Sequence, residues 1–173
     1  CSSDLIKDIT TDNYLSIISR IYQVTLLKPY FVNIGKQFIK SPKLFFNDTG
    51  VLCSLLKINT KEKLLSSPYS GQIFETYIFC ELQKHLSYLK ESATMYHYRT
   101  SDKKEIDFVI EINDQLIAIE VKQSRSVKKD DFKHIIDLQN RYKKSCLGVL
   151  FYNGETVMEF NKNLVAIPFG IFL

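Results

Sequence analysis

Hydrophobic residues follow two different spacings along the chain, and the two spacings alternate in blocks. Apolar residues recur every three or four positions in four blocks, which predicts helices over 14–22, 51–57, 72–89 and 130–142. Apolar runs rich in β-branched and aromatic residues predict strands over 25–32, 42–47, 95–99, 105–112, 115–121, 146–152, 156–160 and 164–167. From residue 72 onward the order is helix, three strands, helix, strands. That order is typical of an α/β fold in which helices cover a mixed sheet.

A turn-rich stretch, Ser66–Gly71, separates an earlier group of elements from this α/β pattern. We therefore predict a small helical segment at 1–66 and a larger domain at 67–173. In the first segment a helix precedes two extended segments, which is the arrangement at the end of a winged-helix domain. Many other small folds contain the same arrangement, so both interpretations stay open.

The chemistry of the larger domain is concentrated in one predicted hairpin. Its two strands are separated by Asn113–Asp114, residues that tolerate positive φ and form tight turns. With that turn, Asp107 faces Glu120 and Glu105 faces Lys122. Because side chains alternate between the faces of a strand, these four side chains share one face.

Both faces of the hairpin carry apolar residues. The acidic face also holds Val109, Leu116 and Ala118, so we expect it to be covered. The opposite face is wholly apolar and must be buried; it consists of Ile106, Phe108, Ile110, Ile112, Ile117, Ile119 and Val121.

Two carboxylates that face each other on a covered surface are costly. They repel each other, and burial disfavours the charged form of each. A fold keeps such a pair when a cation lies between the acids or when one acid stays protonated. Lys122 lies two residues after Glu120, about 7 Å along the strand, where its ammonium could pair with the acids or reach a phosphate oxygen.

A third acid, Glu75, lies on the apolar side of the predicted long helix, in line with Ile78 and Leu82. A carboxylate in an apolar stripe points toward whatever that stripe packs against. We expect the helix to pack on the acidic face of the hairpin, so that Glu75 meets the hairpin acids and Lys122 in one pocket.

These residues resemble the PD-(D/E)xK nuclease superfamily. Its core is a helix, a three-stranded meander, a second helix and a further strand, with an acid on the first helix, an Asp on the second strand and (D/E)xK on the third. The corresponding residues are Glu75 in FET, Asp107 in EID and Glu120-Val121-Lys122 in AIEVKQS. Ile106 stands where the Pro of the name would be, a departure that many members share. The resemblance implies a restriction-endonuclease-like fold.

Over nearly its whole length the chain also resembles the C-terminal domain of unknown function of a family of bacterial and archaeal AAA+ ATPases. The resembling segments are NYLSIISRIYQVTLLKPYFVN, SPKLFFNDTGVLCSLL, GQIFETYIFCEL, YHYRTSDKKEIDFVIE, IAIEVKQS, LGVLFYNG and AIPFGIFL. This resemblance implies an upstream ATPase module in a longer protein, of which the chain is a fragment. No GxxxxGK[ST] motif is present, so we expect no ATP site in the chain itself.

The nuclease resemblance implies a role for each motif residue. Asp107 and Glu120 would ligate Mg²⁺ or Mn²⁺, together with the backbone carbonyl of Val121. Glu75 would be a further ligand or would hold a metal-bound water. Lys122 would orient the attacking water and offset charge on the scissile phosphate.

A DNA backbone could be bound by polar and basic residues near the predicted site. Each of these residues could instead make a surface salt bridge or remain solvated. The candidates are Arg99, Lys103, Lys104, Gln123, Ser124, Lys128 and Lys129.

Charge and composition narrow the setting. The net charge of +4 is compatible with nucleic acid, and no apolar stretch is long enough to predict a membrane span. The four cysteines, Cys1, Cys53, Cys80 and Cys146, are scattered and lack the spacing of zinc ligands. We expect reduced thiols, and hence a cytoplasmic protein, in which an oligomer is allowed but not indicated.

Three interpretations of function remain open from the sequence. The first is an active Mg²⁺-dependent nuclease that acts on DNA. The second is a module that binds DNA or protein for the ATPase without cleaving. The third is an interaction domain of the toxin–antitoxin or defence type.

Overall fold

The computed structural model describes residues 8–31, 41–142 and 145–172. The α-helices in these ranges are α1 (Asp8–Arg20), α2 (Thr49–Leu55), α3 (Lys61–Ser66), α4 (Ser70–Ser87) and α5 (Lys133–Arg141). The strands are β1 (Val24–Leu27), β2 (Lys43–Phe46), β3 (Ala93–Arg99), β4 (Glu105–Ile112), β5 (Gln115–Lys122), β6 (Cys146–Tyr152), β7 (Met158–Asn161) and β8 (Leu164–Pro168). Short 3₁₀ helices span Lys129–Phe132 and Phe169–Phe172.

The fold is mixed α/β, as the order of elements predicts. Six strands form one sheet in the order β3-β4-β5-β6-β8-β7. The β3-β4-β5 meander and the β7-β8 pair are antiparallel, whereas β6 runs parallel to both β5 and β8. The chain therefore returns across the sheet after β5, and α5 lies in that crossover.

The predicted hairpin register is confirmed over the pairs from Ile112–Gln115 to Phe108–Ile119. The turn has the positive φ values that its two residues allow, 47° at Asn113 and 62° at Asp114. This turn sets which residues of β4 and β5 face each other, and so brings Asp107 and Glu120 to the same end of the hairpin.

The prediction that the long helix covers the acidic face is wrong. Helix α4 packs on the opposite face, where Ile78 and Phe79 are buried with Phe108 and Ile119. The face of Val109, Leu116 and Ala118 is buried as expected, but by α5, through Phe132, Ile135 and Leu138. A wholly apolar face offers the helix more burial than a face that also carries acids.

A β-bulge changes the predicted faces at the start of β4. Tyr96 pairs with Val109 and Tyr98 with Ile106, so β4 has one residue more than β3 over this interval. Ile106 therefore turns onto the α5 side and is buried there, contrary to the simple alternation. Asp107 lies within this bulge and takes no part in the regular pairing of β4 with β3 or β5.

The N-terminal segment packs directly on α4. β1 and β2 pair antiparallel as a separate two-stranded sheet, which agrees with the predicted extended segments. Phe45 of β2 stacks on Phe79 of α4 with ring centroids 4.4 Å apart, and this contact places Lys43 beside the helix. The end of the first predicted strand, from Val32, lies outside the described residues. Helix α3 was not predicted, and the winged-helix interpretation and the division at residue 66 stay predictions.

Three cysteines fall in the described ranges, and each is a free thiol. Cys146 is buried, whereas Cys53 and Cys80 are half-exposed. Cys1 lies outside the described residues. In the described part of the chain, every helix is too short or too polar to cross a membrane.

Candidate functional site

An acidic cleft of about 320 Å³ opens at the end of the hairpin, between the strands and the start of α5. Three of the four residues predicted to be catalytic line it, and Glu75 does not. The lining residues are Glu105, Asp107, Glu120, Lys122, Asp130, Asp131, Lys133 and His134.

Asp107 and Glu120 form a hydrogen-bonded carboxyl pair in this cleft. The Val121 N–H donates to Asp107 Oδ2 at 2.8 Å, so the Asp107 side chain takes a backbone donor of the neighbouring strand. Glu120 is only 9% exposed. A pair this close and this buried cannot hold two full negative charges without a cation between them.

Protonation of Glu120 resolves the repulsion. Burial and the adjacent Asp107 raise the pKa of Glu120 to about 9, although Lys122 opposes the rise. Burial also raises the pKa of Asp107, against the pull of Lys43 and the Val121 N–H. Because both pKa values are raised, the Asp107–Glu120 pair holds a shared proton at neutral pH.

Glu75 approaches the pair through a residue that the sequence analysis missed. Lys43 Nζ lies 2.6 Å from Glu75 Oε1, 3.2 Å from Glu105 Oε1 and 4.0 Å from Asp107 Oδ1. Lys43 precedes Glu75 by 32 residues, and no local pattern in the strand sequence KLFF marks it as a site residue.

The pKa values of this ion pair follow from burial and charge. Burial would lower the pKa of Lys43, but the charge and hydrogen bond of Glu75, with Asp107 and Glu105, outweigh it, so that the pKa is raised. Burial and Asp107 raise the pKa of Glu75 to about 7, against the effect of Lys43. Lys43 is thus the cation that makes the burial of Glu75 tolerable.

Two further groups face the carboxyl pair from other directions. Lys122 makes no ion pair within 4.0 Å among the described residues, and its charge acts on Glu120. His134 Nδ1 lies 2.9 Å from the Glu105 carbonyl oxygen and 3.9 Å from Glu120 Oε1. Because Nδ1 meets a carbonyl oxygen, it carries a proton in the neutral tautomer. The sequence analysis did not identify His134, which only the position of α5 brings to the strands.

The acids satisfy part of the requirement for a metal site. Across residues 8–31, 41–142 and 145–172, no three His, Cys, Asp or Glu side chains are grouped to hold a metal ion as they stand. Asp107 and Glu120 alone still offer hard oxygen donors in mutual contact, which suit Mg²⁺ or Mn²⁺ when water completes the coordination. These two residues fit a divalent cation, whereas Glu75 is held by Lys43.

Several predicted nucleic-acid contacts have protein partners instead. Arg99 Nε lies 3.8 Å from Glu105, and Lys104 Nζ lies 3.0 Å from Asp137. Gln123 Oε1 accepts from Ser70 Oγ at 3.2 Å at the start of α4.

The other four candidates are exposed. The hydroxyl of Ser124 donates to the Ser126 carbonyl at 2.8 Å. Lys103 has a positive φ of 62° in the turn before β4, and Lys128 and Lys129 lie at the first 3₁₀ helix beside the acidic cleft. These three lysines are the predicted DNA contacts whose position leaves them accessible.

A protein family described as "Domain of unknown function (DUF4143)" matches residues 70–172. The chain belongs to the DUF4143 family. This DUF4143 match contains α4 and the whole six-stranded sheet, and therefore every residue of the acidic cleft. A second family, "Domain of unknown function (DUF8612)", matches residues 3–62, the segment that contributes Lys43.

Two mycobacterial proteins are similar to this DUF4143 chain. They are the uncharacterized proteins Mb2031c of Mycobacterium bovis and Rv2008c of Mycobacterium tuberculosis, each 29% identical over 161 residues. The match covers 92% of the chain and 34% of each relative. The chain thus spans about a third of the length of these relatives.

Among solved structures, a complex of McrB AAA+ hexamers with bound McrC from Thermococcus gammatolerans contains a chain similar to this one. The similarity has a TM-score of 0.42 at 10% identity, and it covers 91% of this chain and 60% of that one.

Proposed function

We propose that the DUF4143 domain is a metal-dependent nuclease-like domain of the restriction-endonuclease type, which hydrolyses phosphodiester bonds in DNA. One observation carries the proposal: the buried Asp107–Glu120 carboxyl pair lies at an open cleft beside Lys122, a lysine with no ion-pair partner in the described chain. A fold has little reason to bury two acids in contact unless they bind a cation or move a proton.

The order of elements supports the restriction-endonuclease-like interpretation. The PD-(D/E)xK core requires a helix, a three-stranded meander, a second helix and a further strand. The chain has these elements in that order, as α4, β3-β4-β5, α5 and β6. Asp107, Glu120 and Lys122 line one cleft. Glu75 of α4 lies outside the cleft and is linked to Asp107 through Lys43. Helix α4 keeps its place in this order although it packs on the face opposite to the predicted one.

Each residue then has a chemical role. Asp107 and Glu120 would hold Mg²⁺ or Mn²⁺, and Glu120 would lose its proton to do so. When bound, the cation would lower the pKa of a water and offset charge on the phosphate. Lys122 would place its ammonium against a phosphate oxygen and orient the scissile bond. His134 would support the cleft through the hydrogen bond from its Nδ1 to the Glu105 carbonyl, since at 3.9 Å from Glu120 it is too far for direct proton transfer.

We also propose that DNA is the substrate and that the domain serves an AAA+ ATPase in a longer protein. The exposed Lys103, Lys128 and Lys129 could contact a DNA backbone, and such contacts are sequence-tolerant. The mycobacterial relatives are about three times as long as the matched segment, which leaves room for an ATPase module in them. The expected cytoplasmic location belongs to this proposal.

A second candidate function is favoured by Lys43. Its ammonium lies among Glu75, Glu105 and Asp107, and it could replace a metal and leave a scaffold that binds DNA or protein without cleaving. Such a module would bind DNA in a salt-sensitive way that does not require Asp107.

A cleavage assay separates the two candidates. Supercoiled plasmid, linear duplex and branched DNA are incubated with Mn²⁺ and the wild-type chain, Asp107→Asn or Lys122→Met. Glu159→Gln is the matched control, since Glu159 is an exposed acid on β7 outside the cleft. DNA binding is measured in parallel at two salt concentrations.

The nuclease proposal predicts cleavage by the wild type and the control, and a loss of at least about 100-fold in both site variants. Cleavage that survives Asp107→Asn would contradict it. Salt-sensitive DNA binding by all four proteins, with no cleavage of any substrate, would favour the binding module instead.

A further inference from the structure

Lys43 lies among three carboxylates at distances that suit an ammonium. Its contacts of 2.6 Å to Glu75 and 3.2 Å to Glu105 are in the range of charge-assisted hydrogen bonds, and Asp107 lies further off at 4.0 Å. A Mg²⁺ ion requires oxygens at about 2.1 Å. The three acids are therefore spaced around a lysine, not around a small cation.

The position of Lys43 is fixed by packing. β2 holds the residue through its four-residue pairing with β1, and Phe45, two residues on, is buried against Phe79 and Phe108. The Lys43 side chain is 28% exposed, so its charge is largely shielded from water. Packing therefore fixes the backbone of Lys43 beside α4, and the contacts with Glu75 and Glu105 hold the ammonium itself.

The charges of the cluster leave no need for a second divalent cation. The ammonium of Lys43 faces three acids directly, Glu75, Glu105 and Asp107, and Glu120 lies behind Asp107. Two further basic groups border the cluster: Lys122 acts on Glu120, and Arg99 lies beside Glu105. Asp130, Asp131 and Lys133 also line the cleft, and with them counted one divalent cation between Asp107 and Glu120 brings the net charge of the cluster to zero. A second divalent cation among these acids would be repelled by the positive charge of Lys43.

We propose that the Lys43 ammonium takes the place of a second divalent cation, so that the acidic cleft binds one divalent cation, at Asp107 and Glu120, and no more. This inference rests on the proposed function, because it presupposes the first cation. Lys43 is then a positioning residue: it holds Glu75 and Glu105 and acts through Asp107 without touching the substrate.

Calorimetric titration with MnCl₂ tests the stoichiometry. The wild-type chain is compared with Lys43→Met, which keeps the alkyl chain and removes the charge, and with the double variant Lys43→Met/Glu75→Gln. Lys84→Met is the matched control, since Lys84 also makes a 2.6 Å ion pair, with Glu81, but on α4 outside the cleft. Circular dichroism checks folding; if Lys43→Met does not fold, Lys43→Gln replaces it, because the amide still donates hydrogen bonds to the carboxylates.

We expect one bound Mn²⁺ for the wild type and Lys84→Met, two for Lys43→Met, and one again for the double variant. Two equivalents in the wild type, or one in Lys43→Met, would overturn the inference and leave the proposed function standing. If the wild type binds none, the proposed function fails first, and the inference fails with it.

Discussion

Replacing Glu120 with Gln should make the folded protein more stable at neutral pH, although it removes a residue of the candidate site. Burial and Asp107 raise the pKa of Glu120 from 4.5 to about 9 in the folded chain. The folded state therefore binds more protons than the unfolded state between these values. Stability must fall as pH rises through this window, and the loss is complete above the folded pKa.

The magnitude follows from the distance between the pH and the ordinary pKa. At pH 7 the pH is about 2.5 units above 4.5, the ordinary pKa of Glu120, so the unfolded chain has lost this proton while the folded chain keeps it. At about 1.4 kcal/mol per unit, this difference lowers the stability by about 3 kcal/mol. Glu120→Gln removes this contribution because its amide is neutral at every pH and can still donate to Asp107. The gap between variant and wild type should grow from pH 5 to pH 8.

Urea unfolding followed by circular dichroism at pH 5, 6, 7 and 8, with EDTA present, measures the gap. Glu159→Gln, at an exposed acid on β7 outside the cleft, is the matched control and should stay close to the wild type. Added Mn²⁺ should stabilise the wild type and leave Glu120→Gln nearly unaffected. A gap that does not change with pH, or a variant that is less stable than the wild type at pH 8, would refute the protonated pair.

Three further predictions concern the fold and the DNA contacts. Phe108→Ala removes a fully buried ring that Phe45 and Phe79 contact, and should cost about 3–5 kcal/mol in the same unfolding assay. Asp48→Ala removes the side chain that accepts the Val51 N–H at the start of α2, and should cost about 1 kcal/mol; an unchanged midpoint would contradict the capping role. Replacing Lys128 and Lys129 together by Ala should weaken DNA binding at low salt and reduce the salt slope by about 1–2, measured by fluorescence anisotropy; an unchanged slope would place the DNA elsewhere.

The hairpin shows which features of the site could be predicted from sequence. Its register depends on a local event, the turn at Asn113–Asp114, and both residues adopt the conformation that the pattern requires. The turn therefore brings both acids to the same end of the hairpin, just beyond Phe108–Ile119, the last regular pair. Local sequence was sufficient because turn chemistry and strand alternation both act over a few residues.

The packing of α4 could not be predicted in the same way. Both faces of the hairpin carry apolar residues, so the pattern alone could not decide which face each helix covers. The bulge between Ile106 and Val109 also broke the alternation, and its only sequence consequence is one extra residue relative to β3. Choices between two apolar faces depend on the whole sheet and not on a local motif.

Lys43 was missed for a related reason. It comes from a different part of the chain, and it reaches Glu75 only because Phe45 anchors β2 on α4. His134 likewise meets Glu120 only once α5 has packed across β4 and β5. Contacts between distant segments leave no periodic signal, and the residues that complete this site are of that kind.

The central claim is that the proton-sharing pair Asp107–Glu120 is the site of the divalent cation, and the release of a proton on Mn²⁺ binding tests it most directly. Calorimetric titrations at pH 7.5 in two buffers of different ionisation enthalpy give the number of protons released. The account predicts the release of about one proton by the wild type, from Glu120, and loss of both binding and release in Asp107→Asn. Binding of Mn²⁺ without proton release, or binding that Asp107→Asn leaves unchanged, would contradict it.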